Sequence, residues 1–375
     1  MINQLLDFFN QSSINFTLKE KKRRLKEILR LTCVWRWQFK RLPSSKSVDI
    51  AFYYLGRKSE REGAISYLRL TEPINSAASI KAKAVVSEFP MPGAICLPLY
   101  LSTVIPLKNR TLGEVLMGFE KRKRQLINSQ ASQFKLQKVT TSEDVIRLNQ
   151  TMLMPYANAK YGHAAYNFPV QKLTEMTFKS GQFNLLLHGD KEVGCIIGHF
   201  SKRHHQRYWQ SDRMGFLEFI FSDKQQYREK NVMVTYLEIK WAMANDYEYC
   251  DMGANPAFTE FGAVFHKRTY GGQLSTMGNY NYLYLKLPPI YAAKFYWEKP
   301  LFAVEGKAIV LHLGFPDNTN GAELHDRYRL LKFNGLAKIY LHYETKCPES
   351  CIEAIRSIFS HQKSPPVVKV MGRTH

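Results

Sequence analysis

The chain has 375 residues, of which 45% are hydrophobic and 23% charged, with 21 Tyr and 23 Phe to fill large cores. This excludes global disorder, and the length exceeds what one hydrophobic core usually serves, so two domains or one domain with large additions are expected. The formal net charge of +21 asks for an anionic partner, whether nucleic acid, an anionic membrane face or a phosphate-rich small molecule such as coenzyme A, or else marks a solvated basic surface.

Cys33, Cys96, Cys195, Cys250, Cys347 and Cys351 are scattered, with no Cys-x-x-Cys pair, which argues against a disulfide framework and a zinc site and for a reducing cytoplasm. No run of about 18 apolar residues occurs, and the basic cluster follows the first apolar stretch, the reverse of a signal peptide. The expectation is a cytoplasmic protein, with a peripheral position at the inner membrane face as its variant.

In chain order, residues 19–41 hold ten Lys or Arg against Glu20 and Glu27, and Leu25, Ile28, Leu29 and Trp35 recur at helical spacing. This predicts a basic amphipathic helix that either lies on an anionic membrane or packs on its own domain. Past the linker Pro43-Ser44-Ser45-Lys46, apolar runs of strand length at 48–55, 64–70, 82–89 and 94–105 imply a small sheet-containing domain. Thr111 then opens a helix to about Ser129, with Leu112, Val115, Leu116 and Phe119 as its apolar stripe beside Lys121-Arg122-Lys123-Arg124.

Residues 134–139 alternate as a strand does, and Thr141, followed by Glu143 and Asp144, caps a helix reaching about Tyr161. A second helix over 168–180 closes at Gly181. Strands at 183–188 and 193–200 flank the hairpin signal Gly189-Asp190, and two more follow at 205–211 and 215–221. A helix over about 229–245 carries Val232, Tyr236, Ile239, Lys240 and Met243 along one side. Strand 247–251, a loop with a short helix to Tyr270, and strands within 273–285 complete the segment.

The order β-α-α-β-β-β-α-β-α-β-β predicts an antiparallel meander that turns parallel through one crossover helix. Such a turn splays two neighbouring strands and opens a gap for a cofactor or a substrate chain. After Leu287-Pro288-Pro289, strands at 308–313, 337–343 and 367–370 alternate with helices near 324–331 and 348–359, an α/β appendage with no evident chemistry. The expected divisions are therefore a basic segment 1–45, a sheet-containing domain 46–130, a domain 131–287 and an appendage 288–375.

Three pieces, in this order, resemble the FemAB-like transferases, a branch of the GNAT acyltransferases. Residues 105–162 join a basic helix, a strand and a long helix ending in Lys160-Tyr161-Gly162. Tyr247-Glu248-Tyr249-Cys250-Asp251-Met252-Gly253 is similar to that group's buried strand ending in Asp-x-Gly. Ala263-Val264-Phe265-His266-Lys267-Arg268-Thr269-Tyr270-Gly271-Gly272 is similar to its Phe-Lys-x-x-aromatic-Gly element, with His266 where that group has Phe. Only the combination is specific.

The resemblance covers about residues 105–286 and implies an α/β (α+β) fold, GNAT-like, with a mixed, mostly antiparallel sheet. It implies transfer of an acyl group from acyl-CoA, such as acetyl-CoA, to an amine or hydroxyl of a cell-envelope saccharide or peptide. Aminoacyl transfer from tRNA is the alternative, and a non-catalytic basic binding module the third reading; no metal is expected, since His163, His204 and His205 lack a matching ligand set.

Gln225-Gln226-Tyr227-Arg228-Glu229-Lys230-Asn231 stands where acetyl-CoA-using members carry a glycine-rich pyrophosphate loop. Glycines there let backbone N–H groups approach phosphate; in their absence Tyr227, Arg228, Lys230 and Asn231 are the donor-binding candidates, with solvated turn residues the alternative for Arg228 and Lys230. Glu218, within the strand predicted at 215–221, is a candidate base if half-buried and an ordinary outward residue if not. Asp251 either orients substrate or caps the next turn, and Lys267 either holds an anionic group or meets a helix C-terminus. Tyr161, Trp209 and Tyr236 are candidate substrate walls or core aromatics.

Overall fold

The computed structural model describes residues 37–42, 50–57, 82–162, 165, 167–203, 205–257, 259, 262–276, 282–360, 362 and 364–372. Most of the helix expected at 19–41 and the strand expected at 64–70 lie outside them. The last five residues of that expected helix are instead strand β1 (Trp37–Arg41), paired antiparallel with β2 (Ile50–Arg57). Two compact units form: unit 1 holds residues up to 102, 254–266 and from 273 onward, and unit 2 holds 103–253 and 267–272.

Unit 1 continues through β3 (Ala82–Ser87) and β4 (Ile95–Pro98). Through β5 (Tyr100–Pro106) the chain enters unit 2. There Thr111 caps α1 (Leu112–Leu116) in a reciprocal box with Glu114, satisfying two N–H groups that a helix start leaves unpaired. α2 (Lys121–Gln130) is a separate helix, so the single helix expected over 111–129 is broken.

β6 (Phe134–Lys138) leads to α3 (Ser142–Leu148), capped by the Thr141 hydroxyl as its sequence predicts. A π turn at Asn149–Leu153 carries this helix into α4 (Met154–Tyr161), and α5 (Val170–Glu175) follows. β7 (Gly181–His188) and β8 (Lys191–Arg203) form the expected hairpin. Its turn places Gly189 at φ +59°, which glycine adopts without a Cβ clash.

The strands expected at 205–211 and 215–221 are one strand, β9 (Gln206–Phe216), after which Leu217 turns the chain into α6 (Glu218–Ser222). Asp223 then caps α7 (Lys224–Ala244), its carboxylate accepting from the N–H groups of Gln225 and Gln226 at 2.8 and 2.9 Å. β10 (Tyr249–Pro256) and α8 (Gly262–Arg268) bring the chain back to unit 1.

Unit 1 resumes with β11 (Gln273–Ser275), β12 (Tyr282–Lys286) and α9 (Pro289–Glu298). β13 (Leu301–Glu305), β14 (Ala308–Phe315), α10 (Gly321–Tyr328), β15 (Leu336–Tyr343), α11 (Glu349–Phe359) and β16 (Val367–Met371) complete it. Its nine-stranded sheet has the order β1-β2-β3-β12-β4-β13-β14-β15-β16. β12 lies between β3 and β4, antiparallel to both, so strands on either side of the divisions expected at 130 and 287 share one sheet. Phe52, Phe295, Phe302, Phe315 and Phe333 fill its core.

In unit 2 the strands run in the order β5-β10-β9-β8-β7-β6. β6 to β9 form an antiparallel meander, and β9 and β10 are parallel, joined by the crossover helix α7. Unit 2 is therefore a GNAT-like mixed α/β fold. Alternation along β8 feeds two cores, because neighbouring side chains point to opposite faces of a strand. Ile196 packs with Trp209, Phe216 and the α7 residues Val232, Met233 and Ile239, whereas Cys195 and Ile197 pack with Val145, Leu148, Met152 and Leu173. Among the described residues, no helix is long and apolar enough to cross a membrane.

Candidate active site at the parted strands

β10 pairs with β9 at three positions, Tyr249 with Tyr208, Cys250 with Trp209 and Asp251 with Gln210. β9 then continues for six further residues to Phe216 with no partner on β10. Two local features part the strands. On β9, the register to β8 shifts between Ile197, paired with Arg213, and Gly198, paired with Ser211, which leaves Asp212 as an extra residue; such a bulge bends its strand and increases its twist. On β10, Gly253 adopts φ +84°, and its N–H is accepted by the Asp251 carboxylate at 2.9 Å. The Asp-x-Gly element thus bends β10 just past its last pair with β9, at a glycine whose Cβ position still faces the Ser211 carbonyl at 3.4 Å, using a conformation that favours glycine.

Beside the parted stretch lies a hydrogen-bonded chain of side chains. Asn231 donates through Nδ2 to the Tyr227 hydroxyl at 3.1 Å and towards Met214 Sδ, on the parted part of β9, at 3.4 Å. Its Oδ1 accepts from the Tyr270 hydroxyl at 3.1 Å. Tyr227 and Tyr156 share a hydrogen bond of 2.7 Å, and Lys160 Nζ donates to Tyr156 at 2.7 Å and to Tyr227 at 3.3 Å. Burial pushes the Tyr156 and Tyr270 hydroxyls above their ordinary range, so at neutral pH they are neutral donors, fixed by packing against Phe216 and Phe119 respectively.

Two charged groups meet near Gly253. Lys267 is partly buried, and its Nζ donates to the Gly253 carbonyl at 2.8 Å. Burial pulls its ammonium down to about 8, opposed by the negative charge of Asp251 and reinforced by Lys160. Asp251, which is buried, receives Arg203 Nη1 at 2.6 Å, and Arg203 Nη2 reaches Gln210 Oε1 at 2.6 Å. Its carboxylate is thus engaged by a guanidinium and by the turn it caps.

Of the residues singled out from sequence, Tyr227 and Asn231 join the chain of side chains, and Asp251 and Lys267 gather at Gly253. Glu218 does not lie in a strand: it is the exposed first residue of α6, because β9 ends at Phe216 and Leu217 turns the backbone. The segment 225–231 is the first two turns of α7, not a loop. Those turns aim Tyr227 and Asn231, one helical turn apart, to one side. Lys230 points elsewhere, buried with Glu229 at 2.7 Å and over the Phe134 ring, and Arg228 is exposed.

Trp209 is core, its indole N–H donating to the buried Glu238 carboxylate at 2.8 Å; burial raises that carboxyl to about 7. Tyr236 is likewise buried in the core, whereas Tyr161 is half-exposed, its ring 5.6 Å from the Lys160 ammonium. Tyr156, Lys160, Tyr270 and Arg203 carry no role in the sequence reading, although Lys160 and Tyr270 stand in its matched motifs. A usable signal lay in Tyr156 and Lys160, which stand four apart at the end of one helix as Tyr227 and Asn231 do at the start of another.

No family model matches the chain, and no curated protein matches it. Among solved structures, it is similar to FemX at 12% identity, with 77% of this chain and 97% of that chain covered and a TM-score of 0.39. It is similar to the C-terminal domain (DUF2156) of a putative lysylphosphatidylglycerol synthetase from Agrobacterium fabrum at 11% identity, covering 70% and 93%, with a TM-score of 0.36. The L-PGS structure from Bacillus licheniformis gives 12% identity, coverage of 72% and 91%, and a TM-score of 0.34.

Proposed function

We propose that unit 2 is an acyltransferase that carries an acyl group from acyl-CoA to an amine or hydroxyl of a cell-envelope saccharide or peptide. The observation that supports this reading is the parting of β9 from β10 after Asp251 and Gln210. A gap in a sheet lets an extended donor lie between strands and exposes backbone donors to the oxygen that becomes negative as the acyl carbon is attacked. Tyr227, Asn231 and Tyr156 orient the donor as neutral hydrogen-bonding groups, and Lys267 adds positive charge beside the oxyanion. The N-terminus of α7 attracts donor phosphates through its dipole, aided by exposed Arg228. The proposal includes a position at the inner face of an anionic membrane, where the basic residues 19–41 and the net charge of +21 contribute attraction.

One observation favours aminoacyl transfer from tRNA as a second reading. At the start of α7 the N–H groups of Gln225 and Gln226 are already taken by Asp223, so a pyrophosphate there meets a carboxylate instead of free donors.

Thermal-shift measurements with acetyl-CoA test the first reading. At 100 times Kd, a ligand that binds only the native state adds about 2.7 kcal/mol, which raises Tm by several degrees. Asn231→Ala is expected to abolish that shift. Unchanged melting of the wild-type chain in acetyl-CoA, together with retention of aminoacyl-tRNA on filters, would replace the first reading by the second.

A further inference from the structure

A histidine and an aspartate meet on the sheet of unit 2, apart from the side chains just described. His199 Nδ1, on β8, lies 2.5 Å from Asp212 Oδ2, on β9. Asp212 is the extra residue of the bulge, since Ile197 pairs with Arg213 and Gly198 with Ser211. A bulge re-aims the side chain it carries, and here it brings a carboxylate to the imidazole of the neighbouring strand. Gln210 Nε2 approaches the other oxygen of that carboxylate at 3.4 Å.

The position of this pair relative to the gap follows from register. His199 pairs with Gln210, and Gln210 pairs with Asp251, so the three form one row across β8, β9 and β10. That row is the last in which β9 and β10 pair. Cross-strand partners project to one face of a sheet, and Arg203, which donates to both Gln210 and Asp251, shows the shared face. With strands about 4.8 Å apart, the imidazole stands one strand from the edge of the gap. Opposite His199 on β7 is Gly181, which puts no side chain over the ring. The His199 side chain is 29% exposed and that of Asp212 11%.

A carboxylate at Nδ1 holds the neutral ring in the Nδ1–H tautomer and leaves the Nε2 lone pair as a proton acceptor. We propose that His199, positioned by Asp212, is the catalytic base that removes the proton from the attacking amine or hydroxyl, an inference that rests on the acyl-transfer reading above. The acceptor nitrogen or oxygen bonds to the acyl carbon while Nε2 takes its proton. The thioester C–S bond then breaks, and the imidazolium returns the proton to the departing thiolate. Charge balances, and the products are the acylated acceptor and the free thiol. Asp212 is a positioning residue, Asp251 is the other charged group in the row, and Arg203, four residues further along β8, reaches that row through its guanidinium.

Thiol release from acetyl-CoA, with D-glucosamine as a probe that offers an amine and hydroxyls, tests the step. His199→Gln is expected to lower kcat at least 100-fold and Asp212→Asn at least 10-fold, with the Kd for acetyl-CoA unchanged in both. Release by His199→Gln at the wild-type rate overturns the proposal. Nitrogen NMR of histidine-labelled protein supplies a readout that needs no turnover. The wild type is expected to show His199 as the Nδ1–H tautomer, and Asp212→Asn to lose that preference. If the wild type releases no thiol, the acyl-CoA reading falls, and the base stands or falls on that tautomer: an Nε2–H ring in the wild type overturns it.

Discussion

At the scale of single residues, Lys267 is the most costly group near the parted strands. Its ammonium titrates at about 8, against an ordinary 10.5, because burial penalises the charged form. At about 1.4 kcal/mol per pKa unit, holding it protonated below pH 8 costs about 3 kcal/mol. Between pH 8 and 10.5 the unfolded chain binds more protons than the native one, so stability rises with pH over that window. Lys267→Met keeps the stem volume and removes the charge, at the loss of one hydrogen bond to Gly253 worth about 1 kcal/mol. The variant is expected to be about 2 kcal/mol more stable at pH 7 in urea unfolding and to lack the rise towards pH 10. A variant less stable than the wild type at pH 7 would show that holding this ammonium in place carries no net penalty for the fold.

Residue identity made part of this legible before any coordinates. Asp251 and Gly253 announce a turn, since an Asp side chain two residues before a glycine captures its N–H, and that turn is what bends β10. Glu218 misled, because Leu217 and Phe219 made 215–221 look like a continuous strand; Phe219 is in fact exposed on α6, a choice made by tertiary packing rather than by local pattern. The His199–Asp212 pair was invisible for a different reason: their meeting depends on a one-residue shift between two strands, and no spacing in the sequence encodes it.

Among elements, α7 decides how the site is framed. The segment 225–231 lacks glycine and is rich in good helix formers, so it extends the helix back to Lys224 where a loop was expected. The cap that starts it, Asp223, both stabilises the helix and places negative charge at its positive end. Asp223→Ser keeps a side-chain acceptor and removes the charge. The expected outcome is a loss of stability under 1 kcal/mol and a several-fold tighter Kd for acetyl-CoA in calorimetric titration. A weaker Kd would show that phosphate does not approach this helix end. The meander and its crossover were readable because strand alternation and helical periodicity repeat over long stretches, whereas the break between α1 and α2 at Met117–Glu120 was hidden by an apolar stripe that continues across it.

For the molecule as a whole, the division of the chain matters more than the composition. Unit 2 is complete once Gly272 has been added, since it draws only on residues 103–253 and 267–272. Unit 1 is not, because β4 takes β12 on one side and β13 on the other, and the sheet runs on through β16. During synthesis, then, the later-starting unit finishes first. Ribosome-bound chains arrested beyond Gly272 but short of Leu301 are expected to contain a protease-resistant unit 2 and a cleavable stretch before Ser102; resistance of both stretches would contradict this order. Until translation passes Glu305, β4 waits with its neighbour β13 still unmade, and unpaired apolar strand edges are what aggregation templates recognise. Between the two completions the ribosome adds residues 273–371, and over that stretch the unfinished sheet of unit 1 is the surface a holdase is expected to cover.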